Sequence, residues 1–553
     1  MKKIITIVLL LAVTFTFAQV TLSPDYDYKV SEPYKVVDAR SKEYFSNGKS
    51  VLSLKVKPKK NQILLQKYDV QNMKEIGKKY YNDLPKNFVY EGLVEAQGKY
   101  YFFYSSWTGR KTKHERLFVR EIDFKSGTFK GEAKKIIDHD GKLAEFFDTN
   151  SGMSFFGGYG NIGLVPKFDF LVSDDGSKIL IQYRKKPTVR KDTKSWDIIA
   201  VNVYDMDLNK IWSKTYTMPY TERRMNFIDN LIDNDGNTFM LTKIFHDDSN
   251  KDKKKRKDKK ANYHIELFEL NNTTDKIKTS KINLDDNFIN GISMYQSTNK
   301  EILCAGFYNK GKILSNSDGL FTYKINQNGE LTDKKYYEIP LEILNQYERK
   351  KVKKKNKKKN KKGKAEAYSL ELKNVIYHDD NSLTLIGEKD YIESHTYFTK
   401  NGTRTTISYH YDDILISKIS ADGALTWMKK IPKRQIGRKG KGGMSYSYFN
   451  ANGNHYLIYL DNVKNIELPF DKKPAIHSDG KGGYLTAVKI DDQTGAIEKG
   501  SILDFKRIKR KIKAYQFNTD RIVKIKENEF FVEVYKKKKE DVFLKIEMKK
   551  IIQ

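Results

Sequence analysis

The chain has 553 residues, a formal net charge of +33 and one cysteine, Cys304. With a lone cysteine deep in the chain, neither an internal disulfide nor a lipid anchor can be argued. Aromatics make up 13% of the residues, with 36 Tyr and 30 Phe, while Ile, Val and Thr are common and Ala is scarce, a composition that suits half-buried pleated surfaces rather than helices.

The opening MKKIITIVLLLAVTFTFAQ sets Lys2 and Lys3 before a short apolar run, with small residues Thr16 and Ala18 before a cut site. This is the pattern of a secretory signal peptide over 1–18, cleaved after Ala18. The run from Ile4 to Phe17 is too short for a comfortable membrane span, and no later stretch approaches roughly 18 apolar residues. An exported, non-spanning chain is expected, periplasmic or extracellular. The terminal KIEMKKIIQ reads as a strand rather than a sorting domain and favours the periplasm.

The remaining residues, about 535, have the length of three or four ordinary domains or of one repeat fold. Alternating apolar runs meet at tight Asn/Asp/Gly turns, most clearly in NFIDNLIDNDGNTFMLTKIF around Asp235-Gly236. Comparable turns at 46–50, 96–100, 173–179, 297–302, 378–383, 450–456 and 526–530 bring the count to eight. A second hairpin type follows each in turn, at 66–80, 120–133, 203–219, 267–282, 323–340, 418–432 and 488–502, seven copies in all. Two hairpins make a four-stranded antiparallel unit, and such units repeating every 50 to 80 residues are the mark of propeller blades. The expected fold is an all-β propeller over 19–553 with eight blades, the last lacking its outermost strand, which VTLSPDYDYKV (20–30) would supply. Seven blades and a pair of β-sandwiches are the competing arrangements.

The segment SADGALTWMKKIP (420–432) carries Gly423, Trp427 and Pro432 together, and MDLNKIWSKTYTMP keeps Trp212 and Pro219 without the glycine. This element resembles the outer-strand repeat of secreted and periplasmic bacterial β-propellers of the quinoprotein-like type. The same stretch is similar to the Asp box of sialidase-type propellers, S-x-D-x-G-x-T-W. Ser420, Asp422, Thr426 and Trp427 match it, and Gly423 falls one position early. The resemblance implies the fold and not an activity.

In an up-and-down blade with strands A to D, the A–B and C–D turns leave one face of the ring, and the B–C loops and D-to-A crossovers leave the other. The basic runs then share a face. KKVKKKNKKKNKKGK (350–364), eleven lysines in fifteen residues, and KRQIGRKGKGG (433–443) are crossovers. NKDKKKRKDKK (250–260) and the runs at 57–60, 109–116, 184–194 and 536–539 are B–C loops. Candidate anion contacts are Lys253, Lys254, Lys255, Arg256, Lys353, Lys354, Lys355, Arg438 and Lys439. The competing reading is a set of solvated loops with no ligand, in a chain whose Lys, Asn, Ile and Tyr content also follows from an AT-rich genome. Acidic polysaccharide, lipopolysaccharide or an envelope protein are the expected partner classes. Intracellular nucleic acid is disfavoured by export, extracellular DNA stays open, and the lysine run at 350–364 lacks the interleaved aromatics of single-strand readers.

The connection LAEFFDTNSGMSFFGGYGNIGLVPKFDF (143–170) gathers Phe155, Phe156 and Tyr159 between glycines, with Trp107 in the neighbouring B–C loop. Such aromatics stack on sugars or, more often, plug the central channel. GGYGNIG is not a phosphate loop. His246-Asp247-Asp248, His378-Asp379-Asp380 and His410-Tyr411-Asp412-Asp413 have ligand residue types, but neighbours on a strand point apart and His378 to Asp380 is a turn, so no metal is assigned. DNDG (233–236) lacks the spacing of a calcium loop. No nucleophile motif is present, Cys304 reads as a buried small hydrophobe, and neither a catalytic residue nor a cofactor is assigned. The sequence points to a non-enzymatic exported binding scaffold. The alternatives are a carbohydrate-active hydrolase or lyase with acids at the funnel, and a structural part of an envelope assembly.

Overall fold

In every blade the second strand is buried on both sides over the length that pairs within the blade. Ser50–Lys57, Lys99–Trp107, Thr238–Phe245 and Ile302–Asn309 are buried almost throughout. The fourth strands, such as Glu75–Tyr81, are largely exposed. A sheet buried at its second and third strands and wet at its fourth packs against neighbours on both faces, which is the environment of a propeller blade. The computed structural model describes residues 22–146, 166–187, 194–255, 258, 260–297, 299–399, 402–469, 471–506, 508, 512, 514 and 516–549. The expected signal peptide lies outside these, as do Phe155, Phe156, Tyr159 and Arg256.

Eight antiparallel sheets follow in chain order. Blade 1 runs Ser41–Ser46, Ser50–Lys57, Gln62–Asp69, Glu75–Tyr81, and blade 2 runs Val89–Ala96, Lys99–Trp107, His114–Asp123, Thr128–Asp140. Blade 3 is Phe168–Val172, Lys178–Lys185, Trp196–Asp205, Lys210–Thr221, and blade 4 is Met225–Ile232, Thr238–Phe245, Tyr263–Leu270, Lys278–Ile282. Blade 5 is Phe288–Gln296, Ile302–Asn309, Gly319–Ile325, Leu331–Glu338, and blade 6 is Leu370–Tyr377, Leu383–Thr399, Gly402–Ile419, Leu425–Gly437. Blade 7 is Ser447–Ala451, Asn454–Asp461, Tyr484–Asp491, Ile497–Asp504. Blade 8 takes Ile522–Lys526, Glu529–Lys537 and Glu540–Met548 from the end of the chain and its outer strand, Tyr26–Val30, from the beginning. Tyr26 pairs with Met548 and Val30 with Leu544, so the expected closure forms and the edge of Glu540–Met548 is covered by the N-terminal strand.

The hydrophobic core divides into eight clusters, each between one pair of adjacent blades, with the blade 8 to blade 1 seam as the last. The ring is closed by apolar packing throughout. Polar fasteners add direction. Trp212 Nε1 donates to Gly236 O across blades 3 and 4, and Trp427 Nε1 to Asp492 O across blades 6 and 7, both at 3.0 Å. The tryptophans of the repeated outer-strand element are thus inter-blade staples.

Inner strands carry bulges in blades 2, 4, 5 and 6. A bulge turns a side chain out of the pleat, here toward the next blade. Glu91 accepts from the amide of Lys167 at 3.0 Å, Asp169 from Asn230 Nδ2 at 2.7 Å, and Asp229 from the amide of Met294 at 2.9 Å. Asn290 donates to Leu370 O at 2.9 Å, continuing the belt into blade 6. At the blade 5 bulge Gly306 faces Gly291, where an added Cβ would stand 2.1 Å from Gly291 O. Burial pushes the carboxyls of Glu91 and Asp229 up to about 7.

Two sequence expectations need correction. The run at 350–364 is not a plain loop: Lys350–Asn360 is an α-helix (α2), packed on a short helix Leu341–Asn345 (α1), with Asn356 Nδ2 donating to Asn345 Oδ1 at 3.0 Å. The run at 433–443 is only partly a crossover. Its first five residues finish the outer strand of blade 6, where Gln435 and Ile436 pair with His477 and Ser478 of a fifth, parallel strand. Lys433 is fully buried there, because its ammonium meets Glu388 at 2.7 Å.

Candidate anion-binding face

Strand order fixes which segments share a face. The B–C connections and crossovers all leave one side of the ring, and the structure shows how three of them meet. Between blades 4 and 5 lies an open cleft of about 740 Å³ lined by Lys243, Lys251, Lys253, Lys254, Lys312 and Phe245. Lys253 donates to Gly311 O and stands 5.1 Å from the Phe288 ring centre, and Lys254 lies 3.5 Å from Asp247. Lys243 is held by Asp252 at 2.9 Å and by the face of Tyr263 at 4.3 Å. Lys312, in the B–C connection of blade 5, reaches the other way, donating to Lys364 O at 2.9 Å and pairing with Glu366 at 3.4 Å, which ties the cleft to the segment that follows the lysine helix.

The helix α2 has eight lysines in eleven residues and no acidic residue in its first turn or anywhere along it. Val352, Lys353, Asn356 and Lys359 form its inward, half-buried side, while Lys354, Lys355, Lys357 and Lys358 are exposed. Five like-charged pairs at i,i+4 (350/354, 351/355, 353/357, 354/358, 355/359) oppose it, each by about 0.2–0.5 kcal/mol. Its N-cap, Arg349, makes no side-chain cap, and lysines at the N-terminal end oppose the helix dipole. Burial, then Lys312 and Lys355, depress the Lys359 ammonium below its ordinary value. Among the described residues no carboxylate forms an ion pair with the lysines of this helix, so its charge is left for solvent ions or a ligand to neutralise.

The other expected contacts fall as follows. Lys255 is exposed, its amide donating to Asp258 at 2.7 Å. Arg438 and Lys439 are exposed in the crossover from blade 6 to blade 7, and Lys441 nearby pairs with Asp520 at 2.8 Å. Trp107 ends the second strand of blade 2, half-buried beneath the Lys142 ammonium at 5.5 Å. Lys251 belongs to the basic run at 250–260, whereas Lys243 and Lys312 lie outside the basic runs and become its neighbours only through blade packing. The B–C hairpin of blade 6 was missed too, though Asn401-Gly402 between alternating runs is a strong hairpin signal.

On the opposite face His378, His455 and Asp492 place their ligand atoms within 4.8 Å of one another. His378 begins a turn, its amide donating to Ser382 O at 3.0 Å. His455 bonds Tyr448 OH at 2.9 Å and Asp492 Oδ1 at 3.0 Å, and His378 Nε2 meets Thr384 Oγ1 at 3.0 Å. Lys418 occupies Asp492 Oδ2, where a metal ion would have to displace it. The group acts as a polar stitch between blades 6 and 7. Asp247 caps its own loop, accepting from the Ser249 amide at 3.0 Å and Asn262 Nδ2 at 2.9 Å. Cys304 is buried, and burial raises its thiol well above the ordinary value.

No protein-family model and no curated protein matches the chain. Among solved structures it is similar to the WD40 domain of SCAP from fission yeast, with 7% identity and a TM-score of 0.39 over 95% of each chain. It is similar to prolyl oligopeptidase B from Galerina marginata, with 11% identity and a TM-score of 0.37 over 94% of this chain and 55% of that one. The β-propeller domain of the Trilobed protease from Pyrococcus furiosus gives 10% identity and a TM-score of 0.32, over 85% of this chain and 97% of that one. The chain spans about half the length of the prolyl peptidases it matches, 56% and 55%. Likenesses this distant say nothing about activity. The chain is an eight-bladed β-propeller by its own strand pairing.

Proposed function

We propose that the protein is a non-enzymatic binding scaffold, exported by the N-terminal segment 1–18, whose lysine-bearing face receives an anionic partner at the cell envelope or outside the cell. The observation that carries this reading is the lysine helix, whose lysines form no ion pair among the described residues, beside a lysine-lined cleft that Lys312 ties to the segment following the helix. Helix formation by eight lysines carries a repulsive cost that a polyanion removes, so ligand binding and helix stability are coupled. The buried carboxylates Glu91, Asp169 and Asp229 bond to neighbouring inner strands rather than converging on a common point, an arrangement that favours a structural belt over a hydrolase centre.

The test uses heparin as the polyanion. Replacing Lys354, Lys355, Lys357 and Lys358 by glutamine is expected to lower the salt needed for elution and to weaken low-salt binding about tenfold or more, since each lost contact removes released counterions. Equal retention of the variant and the parent protein would leave the face without this role.

A further inference from the structure

The B–C hairpin of blade 6 outgrows its blade. Its strands run Leu383–Thr399 and Gly402–Ile419, while the inner strand stops pairing at Lys389 and the outer one at Tyr409. From Glu393 to Thr399 and from Gly402 to Ser408 the two strands pair only with each other, a finger about 20 Å long at 3.3 Å per residue. Register shifts at Glu388/Asp390 and Asp412/Ile414 mark its root, where bulges re-aim strands.

The root is rigid. Tyr391 stacks on His410 with ring centres 4.4 Å apart and donates to Asp412 Oδ2 at 3.1 Å, and His410 lies 3.3 Å from Glu393. Tyr368, four residues beyond the lysine run, meets Tyr391 edge-on at 5.4 Å, and Lys389 lies over both rings. The finger therefore leaves the same face as the lysine segment and meets the residues that follow it through Tyr368.

Its two sides differ. Tyr391, His410, Glu393, Ser408, His395 and Arg404 form one side, with Tyr397 as its exposed aromatic. The other presents Ile392, Ile407 and Phe398, at 63%, 46% and 88% exposure, with Thr396 and Thr405 hydrogen-bonded between them at 3.0 Å. Exposed apolar side chains on a projecting hairpin, on the same face as a dense cationic patch, are a surface in search of an occupant.

We propose that this finger and the adjacent lysines dock the protein on a bilayer surface bearing anionic headgroups, with Phe398 and its apolar neighbours entering the interfacial layer. The proposal rests on the reading of the lysine face as an anion receptor and names the partner. Reversible membrane attachment needs two weak signals, one apolar and one polybasic, and both stand here side by side. A convex finger offers no pocket for a specific side chain, and a fluid interface requires none. A second copy of the chain is opposed by charge, because pairing fingers would bring together two proteins of +33. The free edges of the finger hold its depth to the headgroup layer, since unpaired strand edges are not tolerated in hydrocarbon.

Co-sedimentation of the full chain with vesicles of phosphatidylcholine and phosphatidylglycerol tests this, against phosphatidylcholine alone, for the parent protein, Phe398→Ser and Ile392→Ser/Ile407→Ser. Binding is expected only to the anionic vesicles, falling about tenfold in either variant while heparin retention and melting temperature stay unchanged, because these side chains are exposed. Heparin retention without vesicle binding would overturn the bilayer as partner and leave the anion face standing. Vesicle binding unaffected by the serine variants would overturn the role of the finger. A concentration-dependent dimer abolished by Phe398→Ser would assign the finger to self-association instead.

Discussion

Glu533→Gln should lower the unfolding free energy by about 3–5 kcal/mol, read as a shift in denaturant midpoint, because it strips the central anion from a buried cluster at the ring's seam. Glu533 belongs to blade 8, and its side chain is fully buried. Lys55 and Lys42 of blade 1 reach it at 3.2 and 3.1 Å, Arg521 at 3.6 Å, and Tyr34 donates to it at 2.8 Å. Tyr44 donates as well. Burial alone would raise this carboxyl, but Lys55, then Lys42 and Arg521, overrule it and hold the group down at about 2. An unfolded glutamate titrates near 4.3, so the folded state releases its proton more readily. The contribution is present in full above about pH 4.3 and is lost as pH falls toward 2. Glu533→Gln should remove that part of the acid sensitivity. Unchanged midpoints and an unchanged acid limb would show the seam to be held by apolar packing alone.

Breaking the Lys433 and Glu388 pair should be nearly as costly. Both side chains are fully buried at 2.7 Å, Lys433 Nζ also donates to Tyr411 O at 2.7 Å and Gln435 Oε1 at 3.1 Å, and Ser445 Oγ donates to Glu388 Oε2 at 2.7 Å. Lys433→Met or Glu388→Leu alone leaves one buried charge without its partner, at about 3–5 kcal/mol. The double variant removes both charges, and its loss should fall well short of the sum, leaving mainly the unpaired Ser445 hydroxyl and Tyr411 carbonyl. Additive losses would mean that the two charges are solvated independently. The pair stands at the root of the blade 6 finger, so the single variants should also loosen hydrogen exchange along 390–410.

Much of the fold was legible in the residues because strand alternation and Asx-Gly turns are local signals. All eight inner-turn segments lie where the A–B turns form, and the N-terminal strand closes blade 8 as the unequal count of hairpins required. The lysine helix was not legible, since a run of like charges opposes helix formation locally and is held by packing on α1 that no window shows. Lys433 was misplaced for a related reason: in the sequence it opens a basic run, and only strand pairing across blade 6 sets it against Glu388. The lysine cleft and the His378, His455 and Asp492 stitch join residues from different strands or blades, so spacing along the chain carries no trace of them.

The central claim is that one face of the ring, and not the other, receives an anionic ligand. Hydrogen exchange with and without heparin tests it most directly. Added heparin should slow exchange in the lysine helix 350–360 and in the cleft segment 250–255, and leave the turns at 233–236, 378–382 and 450–454 on the opposite face unchanged. Protection of those turns, or no protection of the helix, would contradict the account.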